Sequence, residues 1–239
     1  MAYGKLNDAS KKIYWVKDNI LSNTFPDVSH ALRDPDGLLA IGGDLSCERL
    51  LEAYRNGIFP WFNEGQPILW WSPDPRCVIE PNEIKISRSL RKRLRSNIYT
   101  VTFNQNFQAV MELCAAPRKD VNETWITNDI KLAYLQLHQQ GYAHSVETWH
   151  EDKLVGGLYG IALGKVFFGE SMFSHRPDAS KVALVNLVEQ LQNKKFRIID
   201  CQVHSKHLQS LGAKPVHREM FIQYLRSYCN DDKILNWST

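Results

Sequence analysis

Two polar side chains stand close together in an otherwise apolar segment near the end of the chain. Segment 197–203 predicts a strand, and a period of two places Ile198, Asp200 and Gln202 on one face. Burying an acid and an amide costs free energy unless both find partners. The two side chains are therefore either a functional pair that donates and accepts hydrogen bonds or a structural pair at a strand end.

A second candidate is the carboxylate of Glu170, which lies inside the apolar run 167–173. A charged side chain in such a strand is either paired with a partner or used in function. Its neighbours Phe167, Met172 and Phe173 suggest the wall of an apolar pocket, although packing in the core is the commoner role of such residues.

The third candidate is a basic segment without an acid. Its bases are Lys85, Arg88, Arg91, Lys92, Arg93 and Arg95. The whole chain has a net charge of +3, so this segment concentrates the positive charge. Ile86, Leu90 and Leu94 recur every four residues, which predicts a helix with one apolar face and exposed basic flanks. Such a helix is either a solvated surface or a site for phosphate groups, as in nucleic acids.

The sequence lacks the patterns that are typical of several other kinds of site. The two histidines His204 and His207 have the spacing of one helical turn but no third ligand, so we expect no metal site. The five cysteines contain no Cys-x-x-Cys motif and indicate a reducing cytoplasm. The loop 174–181 has no glycine, which weakens an acyl-coenzyme A interpretation. No apolar run is long enough to cross a membrane.

The elements that must position these residues form an α+β pattern. The Pro-rich stretch near residue 76 predicts a boundary between a small N-terminal domain, 1–76, and a larger domain, 77–239. A helix is predicted at about 7–21, and another follows a cap at Ser46 and ends near Gly57. Residues 143–174 read as three strands, and a helix capped by Asp178 follows them. This order is typical of N-acetyltransferase-like folds, which have a central, mostly antiparallel sheet flanked by helices.

Four longer motifs resemble one known family. They are 57–62 (GIFPWF), 67–76 (PILWWSPDPR), 169–174 (GESMFS) and 199–203 (IDCQV). Together they resemble the leucyl/phenylalanyl-tRNA–protein transferases, from about Phe25 to Tyr224. Residues 1–12 look like an extension of unassigned role. The string WWSPDPR is long and compositionally rare, so chance is a poor explanation for the match.

The resemblance implies an activity and a fold. Enzymes of this family move Leu or Phe, and less well Met, from aminoacyl-tRNA to a protein whose N-terminal residue is Arg or Lys. The product then enters the N-end-rule degradation route of bacteria. The fold implied is N-acetyltransferase-like with a smaller N-terminal domain, and neither a metal nor coenzyme A is used. We expect a cytoplasmic monomer without membrane attachment.

The resemblance also implies roles for particular residues. Asp200 would orient Gln202 and be the eventual proton sink, Gln202 would accept a hydrogen bond from the attacking amine, and Glu170 would hold a cationic amine. The aminoacyl pocket would be formed by Leu158, Phe167, Met172, Phe173 and Ile199. Trp61 and Trp125 would contact the terminal adenosine, with Tyr54 nearby. The basic segment from Lys85 to Arg95 would bind the phosphates of the acceptor stem.

Two other functions remain open from the residues. One is a different transferase of the same fold, either an aminoacyl-tRNA-dependent ligase acting on cell-wall precursors or an acetyl-coenzyme A enzyme. The other is a non-catalytic RNA-binding protein, for which the basic helix and the tryptophans suffice. The two classes differ in what they require of Asp200 and Gln202, because only a transferase needs these side chains for turnover.

Overall fold

Two β-sheets organise the chain. The computed structural model describes residues 12–17, 24–117, 124–229 and Trp237. The first sheet has the strand order β1-β2-β4-β3. Its strands are β1 (Tyr14–Val16), β2 (Leu38–Gly42), β3 (Phe59–Pro60) and β4 (Leu69–Trp71). Helix α1 (Cys47–Arg55) follows β2, begins at the predicted cap Ser46 and ends before Gly57, which has a positive φ of 72°.

The second sheet is larger and has the order β11-β5-β10-β9-β8-β7-β6. Its strands are β5 (Arg76–Ile79), β6 (Thr100–Phe103), β7 (Ala143–His150), β8 (Lys153–Leu163), β9 (Val166–Ser174), β10 (Ile198–Asp200) and β11 (Lys214–Val216). Its neighbouring strands are antiparallel except for β9 and β10, which are parallel. The α+β prediction with a mostly antiparallel sheet is confirmed.

Helices cover both faces of this larger sheet. They are α2 (Arg88–Arg95), α3 (Phe107–Ala115), α4 (Asn128–Gln139), α5 (Ala179–Asn193), α6 (Lys206–Ser210) and α7 (Arg218–Tyr228). One hydrophobic cluster joins α1, α3, α4 and α7 to one face of the sheet. A second cluster joins α2 and α5 to the opposite face. No helix in the described part of the chain has both the length and the apolar character to cross a membrane.

The predicted helix at 7–21 is wrong where the structure describes it. Tyr14–Val16 is a strand that pairs in parallel with β2, and Val16 is buried while Trp15 is exposed. Aromatic and β-branched residues with this alternation suit a strand at the edge of a sheet. Residues 7–11 and 18–21 of the predicted helix lie outside the described residues, as do residues 1–11 of the extension.

Two further local predictions need correction. The strand predicted over 197–203 ends at Asp200, because Gln202 adopts a left-handed backbone conformation with φ of 53°. Gln202 therefore does not share a strand face with Asp200. Asp178 precedes α5 but makes no capping hydrogen bond with its side chain. Its carboxylate instead contacts Lys181 at 3.0 Å and Arg93 at 3.9 Å.

Candidate active site

The site begins where the two parallel strands separate. Strands β9 and β10 pair as far as Phe168 and Asp200, and beyond these residues β9 pairs only with β8. Glu170 is an extra residue in β9, because Tyr159 pairs with Ser171 while the next residue of β8 pairs with Gly169. An extra residue of this kind bends a strand and redirects its side chain. The bulge therefore explains how a carboxylate in an apolar strand reaches the gap between the strands.

A cavity of about 1220 Å³ opens at this gap. All five residues predicted for the apolar pocket line it: Leu158, Phe167, Met172, Phe173 and Ile199. Leu184 and Leu187 of α5, which the sequence analysis did not assign, complete the apolar wall. Leu158 and Phe167 belong to the cluster on the α5 side, whereas Tyr159 and Phe173 belong to the cluster on the α3 side. The cavity wall therefore includes residues from both faces of the sheet.

One carboxylate in the cavity wall, that of Glu170, accepts three side-chain hydrogen bonds. The Tyr54 hydroxyl donates to Oε1 of Glu170 at 2.8 Å, and the Tyr134 hydroxyl donates to Oε2 at 3.1 Å. The two hydroxyls also contact each other. The side-chain amide of Gln202 donates to Oε1 of Glu170 at 3.3 Å. Tyr54 and Tyr134 come from α1 and α4, so three distant segments meet at this residue.

The environment of Glu170 changes its acidity. Burial, assisted by the negative charge of Asp200, raises the pKa of the Glu170 carboxyl to about 7, against the lowering effect of the two tyrosine hydrogen bonds and of Arg76. A carboxyl group with this pKa exchanges a proton readily near neutral pH. The arrangement can therefore accept a proton from a group bound in the cavity.

Asp200 is held in a buried ion pair with Arg76. Arg76 donates from Nε and Nη2 to the two carboxylate oxygens of Asp200, at 2.8 and 2.7 Å, and both side chains are fully buried. Its Nη1 donates to the carbonyl of Gly57 at 3.0 Å. The guanidinium lies between the rings of Phe59 and Phe221, with its central carbon 4.8 and 4.7 Å from their centroids. This contact surrounds the charge with aromatic faces.

The ion pair also determines where Gln202 lies. Oδ1 of Asp200 accepts a hydrogen bond from the backbone N–H of Gln202 at 3.0 Å. That bond stabilises the left-handed turn that directs the Gln202 side chain toward Glu170. Asp200 thus acts on Gln202 through the backbone, and Gln202 lines the cavity.

Sequence reasoning missed the roles of Arg76 and Tyr134. Arg76 is the last residue of the motif 67–76. A buried acid such as Asp200 requires a cation, but no pattern in the neighbouring sequence identifies Arg76 as its partner. Tyr134 lies on the buried face of α4 between Ile130 and Leu137. A hydroxyl on such a face needs a hydrogen-bond partner, and this need was the signal in the sequence that could have identified Tyr134.

The residues predicted to contact adenosine lie in different places. Trp125 lines the cavity and is partly exposed. Trp61 is 43% exposed and is not part of the cavity wall. Its backbone carbonyl accepts a hydrogen bond from the Trp71 indole at 2.7 Å. Tyr54 is fully buried and its hydroxyl contacts Glu170.

The predicted basic helix forms α2, but it begins at Arg88, with Ser87 as its cap, so Lys85 precedes it. Leu90 is buried against the α5-side cluster, and Ile86 and Leu94 pack on the same cluster. This confirms the predicted apolar face. The side chains of Lys85, Arg88, Arg91, Lys92 and Arg95 are exposed, whereas Arg93 is partly buried and pairs with Asp178. None of the six bases lines the cavity.

An apolar cavity whose polar end is built around one titratable carboxylate defines an enzyme site in this α+β fold. Residues 78–226 match the family described as leucyl/phenylalanyl-tRNA protein transferase, and residues 43–74 match the N-terminal domain of that family. The chain belongs to the leucyl/phenylalanyl-tRNA–protein transferase family, a family of aminoacyltransferases.

Individual relatives carry the same name, leucyl/phenylalanyl-tRNA–protein transferase. The protein of Pseudomonas syringae pv. syringae (strain B728a) is 54% identical over 224 residues, which cover 94% of this chain and 97% of that protein. The protein of Pseudomonas syringae pv. tomato is 58% identical over 211 residues, covering 88% and 91%. The protein of Nitrosospira multiformis is 56% identical over 218 residues, covering 91% and 93%.

Solved structures of lower similarity were also found. A GCN5-related N-acetyltransferase from Kribbella flavida aligns with a TM-score of 0.40 at 10% identity, over 74% of this chain and 63% of that chain. L-PGS from Bacillus licheniformis aligns with a TM-score of 0.39 at 12% identity, over 70% and 54% of the two chains.

Proposed function

We propose that this chain transfers Leu or Phe, and less well Met, from aminoacyl-tRNA to the N-terminal Arg or Lys of an acceptor protein, and that the transfer takes place in the cavity at Glu170. One observation carries the proposal. Two hydroxyls and one amide converge on a single carboxylate at the polar end of a large apolar cavity. Burying a carboxylate costs free energy, and this carboxylate borders an open cavity in which a substrate group could reach it.

The apolar side of the cavity suits the side chain of the transferred residue. Leu158, Phe167 and Ile199 line the cavity together with Leu184 and Leu187 of α5, and all five belong to the cluster on the α5 side. We propose that these walls accept side chains that are unbranched at Cβ. Selection by shape alone is modest, since one methyl group changes binding by about 1–3 kcal/mol.

The chemistry needs proton removal but no external energy source. The nitrogen of the acceptor α-amine forms a bond to the ester carbonyl carbon, and the bond from that carbon to the ribose oxygen breaks. The amine is mostly protonated at neutral pH, since its ordinary pKa is about 8. The protonated amine first releases one proton to solvent. We assign to Glu170 the second proton, which the neutral amine loses as it attacks, and this proton passes to the leaving ribose oxygen. Gln202 accepts a hydrogen bond from the amine through its amide oxygen, because its amide nitrogen already donates to Glu170.

Asp200 has a positioning role in this scheme. Arg76 engages both of its carboxylate oxygens, and the residue is not part of the cavity wall. Its hydrogen bond to the Gln202 backbone keeps the amide beside Glu170. Glu170 rather than Asp200 is therefore the carboxylate in a position to take the proton.

The donor tRNA would use surfaces outside the cavity. The exposed bases of α2 suit contacts to phosphates, which give salt-sensitive and sequence-independent affinity. Trp125 at the cavity and the exposed ring of Trp61 are available to stack on the terminal adenosine, and such stacking contributes about 1–3 kcal/mol per base. In this proposal the enzyme works as a monomer in the cytoplasm, and its products enter N-end-rule degradation.

The experiment is transfer of radiolabelled leucine from Leu-tRNA to a peptide that begins with Arg, beside a peptide identical except for an N-terminal Ala. Label on the Arg peptide alone is the expected result. Gln202→Ala should lose turnover and keep tRNA binding, whereas the exposed matched control Gln139→Ala should keep both. Binding of tRNA without label on either peptide would support a non-catalytic RNA-binding protein and contradict the proposal.

A further inference from the structure

A third tyrosine near Glu170 has no hydrogen-bond partner within the described part of the chain. Tyr159 lines the cavity and is fully buried. Its hydroxyl finds neither a donor nor an acceptor among the residues that the structure describes. The ring is held edge-on against Phe107 at 5.8 Å and against Tyr134 at 5.9 Å between centroids, so the direction of the hydroxyl is set by packing.

The nearby carboxylate does not satisfy this hydroxyl. Oε1 of Glu170 accepts from Tyr54 and Gln202, and Oε2 accepts from Tyr134. Leaving a buried hydroxyl without a partner destabilises the folded state. Burial and the charge of Glu170 raise the pKa of the Tyr159 hydroxyl well above its ordinary value. The group therefore keeps its proton and is available as a hydrogen-bond donor.

The carbonyl oxygen of the bound ester can be the missing hydrogen-bond acceptor. When the amine attacks the ester, the carbonyl oxygen gains negative charge and needs a donor at about 2.7–3.1 Å. The attacking nitrogen and this oxygen are bound to the same carbon in the tetrahedral intermediate. A base for the nitrogen and a donor for the oxygen must therefore lie close together. The Tyr159 side chain lies next to this base, because its ring contacts the ring of Tyr134, whose hydroxyl donates to Glu170.

We propose that Tyr159 is a further catalytic residue, whose hydroxyl donates a hydrogen bond to the carbonyl oxygen of the aminoacyl ester and stabilises the oxyanion. This inference rests on the proposed function. The electron pair of the C=O bond moves to oxygen as the C–N bond forms, and it returns as the bond to the ribose oxygen breaks. Tyr159 keeps its proton throughout, so the path of the proton from the amine through Glu170 is unchanged.

The test is steady-state transfer of Leu from Leu-tRNA to the Arg peptide by the full chain with Tyr159→Phe. This change removes one oxygen atom and preserves both ring contacts. We expect kcat to fall by about ten- to a thousandfold, since loss of one oxyanion donor has effects of this order. The KM values for tRNA and peptide should stay within about twofold, and the Tm should be unchanged or higher because an unpaired hydroxyl is removed. The matched control is Tyr224→Phe on α7, which should behave as wild type.

A second measurement separates the transition state from the ground state. A phosphonate analogue of the tetrahedral intermediate should bind wild type more tightly than Tyr159→Phe, whereas an amide-linked 3′-phenylalanyl adenosine should bind both equally. An unchanged kcat with equal phosphonate binding overturns the inference. A rise in peptide KM alone also overturns it, because the hydroxyl would then bind the acceptor. Wild type without transfer would instead contradict the proposed function.

Discussion

A buried ion pair, Arg76 with Asp200, determines the geometry beside the cavity although neither residue lines it. Removal of one member of such a pair costs about 3–5 kcal/mol, because the remaining charge is left buried without compensation. The pair is satisfied by two charge-assisted hydrogen bonds, a bond to Gly57 and two aromatic faces. Because Asp200 is engaged by Arg76, Glu170 is the carboxylate that lines the cavity.

The raised pKa of the Glu170 carboxyl leads to a prediction for the pH dependence of stability. Its folded pKa of about 7 lies above the ordinary value of 4.5, so between these values the folded state binds more protons than the unfolded state. Stability from this residue therefore falls as the pH rises from about 4.5 to about 7. Glu170→Gln removes the titration. Urea unfolding should show the variant gaining stability relative to wild type between pH 5 and pH 8.

Transfer activity gives a second readout of the same change. If Glu170 accepts the proton, wild-type turnover should rise with pH through about 7, and Glu170→Gln should lose both this rise and most of its rate. Glu112→Gln, on an exposed position of α3, is the matched control and should preserve both profiles. The assignment of this titration to Glu170 predicts different pH profiles for the two proteins. Parallel profiles of unfolding free energy for wild type and Glu170→Gln from pH 5 to pH 8 would falsify it.

Helix α2 has two different faces. One face packs against the fold, and the other is exposed and available for the proposed tRNA binding. Leu90 anchors the helix to the α5-side cluster, and Arg93 pairs with Asp178. Both contacts hold α2 on the rest of the fold. The exposed side of the helix presents the bases that have no such part in packing, so a test of tRNA binding should change one of these and leave Arg93 in place.

We expect Arg91→Glu to weaken tRNA binding severalfold without changing kcat, because a phosphate contact is lost and a repulsion is added. The slope of log Kd against log salt should become smaller by about one. The measurement is tRNA affinity across a series of salt concentrations. Lys153→Glu makes the same charge change on an exposed position at the start of β8 and is the control. Equal effects of the two changes would show that net charge, and not α2, governs binding.

At the scale of the whole molecule, Trp237 connects the end of the chain to the catalytic sheet. Its ring stacks on His144 at 4.1 Å and contacts Phe167 at 5.9 Å and Phe196 at 6.2 Å. Phe167 in turn lines the cavity. Burial also lowers the pKa of the His144 imidazole to about 3, so the stack contains a neutral ring at physiological pH.

Loss of this contact should destabilise the protein. Trp237→Ala removes a ring that is 3% exposed, and a cavity of this kind costs about 3–5 kcal/mol. The control is Trp15→Ala, where the ring is 73% exposed and the change should stay within about 0.5 kcal/mol. Urea unfolding followed by circular dichroism measures both. A Trp237→Ala protein as stable as Trp15→Ala would show that the stack contributes nothing to folding.

Elements with strong local periodicity could be predicted from the amino-acid sequence. The three strands over 143–174 follow from alternating residues and short turns, and α1 follows from its cap at Ser46 and from Gly57. Part of the apolar wall could also be predicted, because Phe167, Met172 and Phe173 lie in one apolar run, whereas Leu158 and Ile199 were implied by the resemblance to the family. These features depend on neighbours a few positions apart, so a local pattern contains the required information.

The polar site, in contrast, is assembled by contacts between residues that are far apart in the chain. Arg76 meets Asp200 across 124 positions and Tyr54 meets Glu170 across 116, and no local spacing identifies either partner. The bulge at Glu170 and the left-handed turn at Gln202 likewise break the period of two on which the strand predictions rest. The physical reason is that a buried charge needs a partner, but folding chooses which distant residue supplies it.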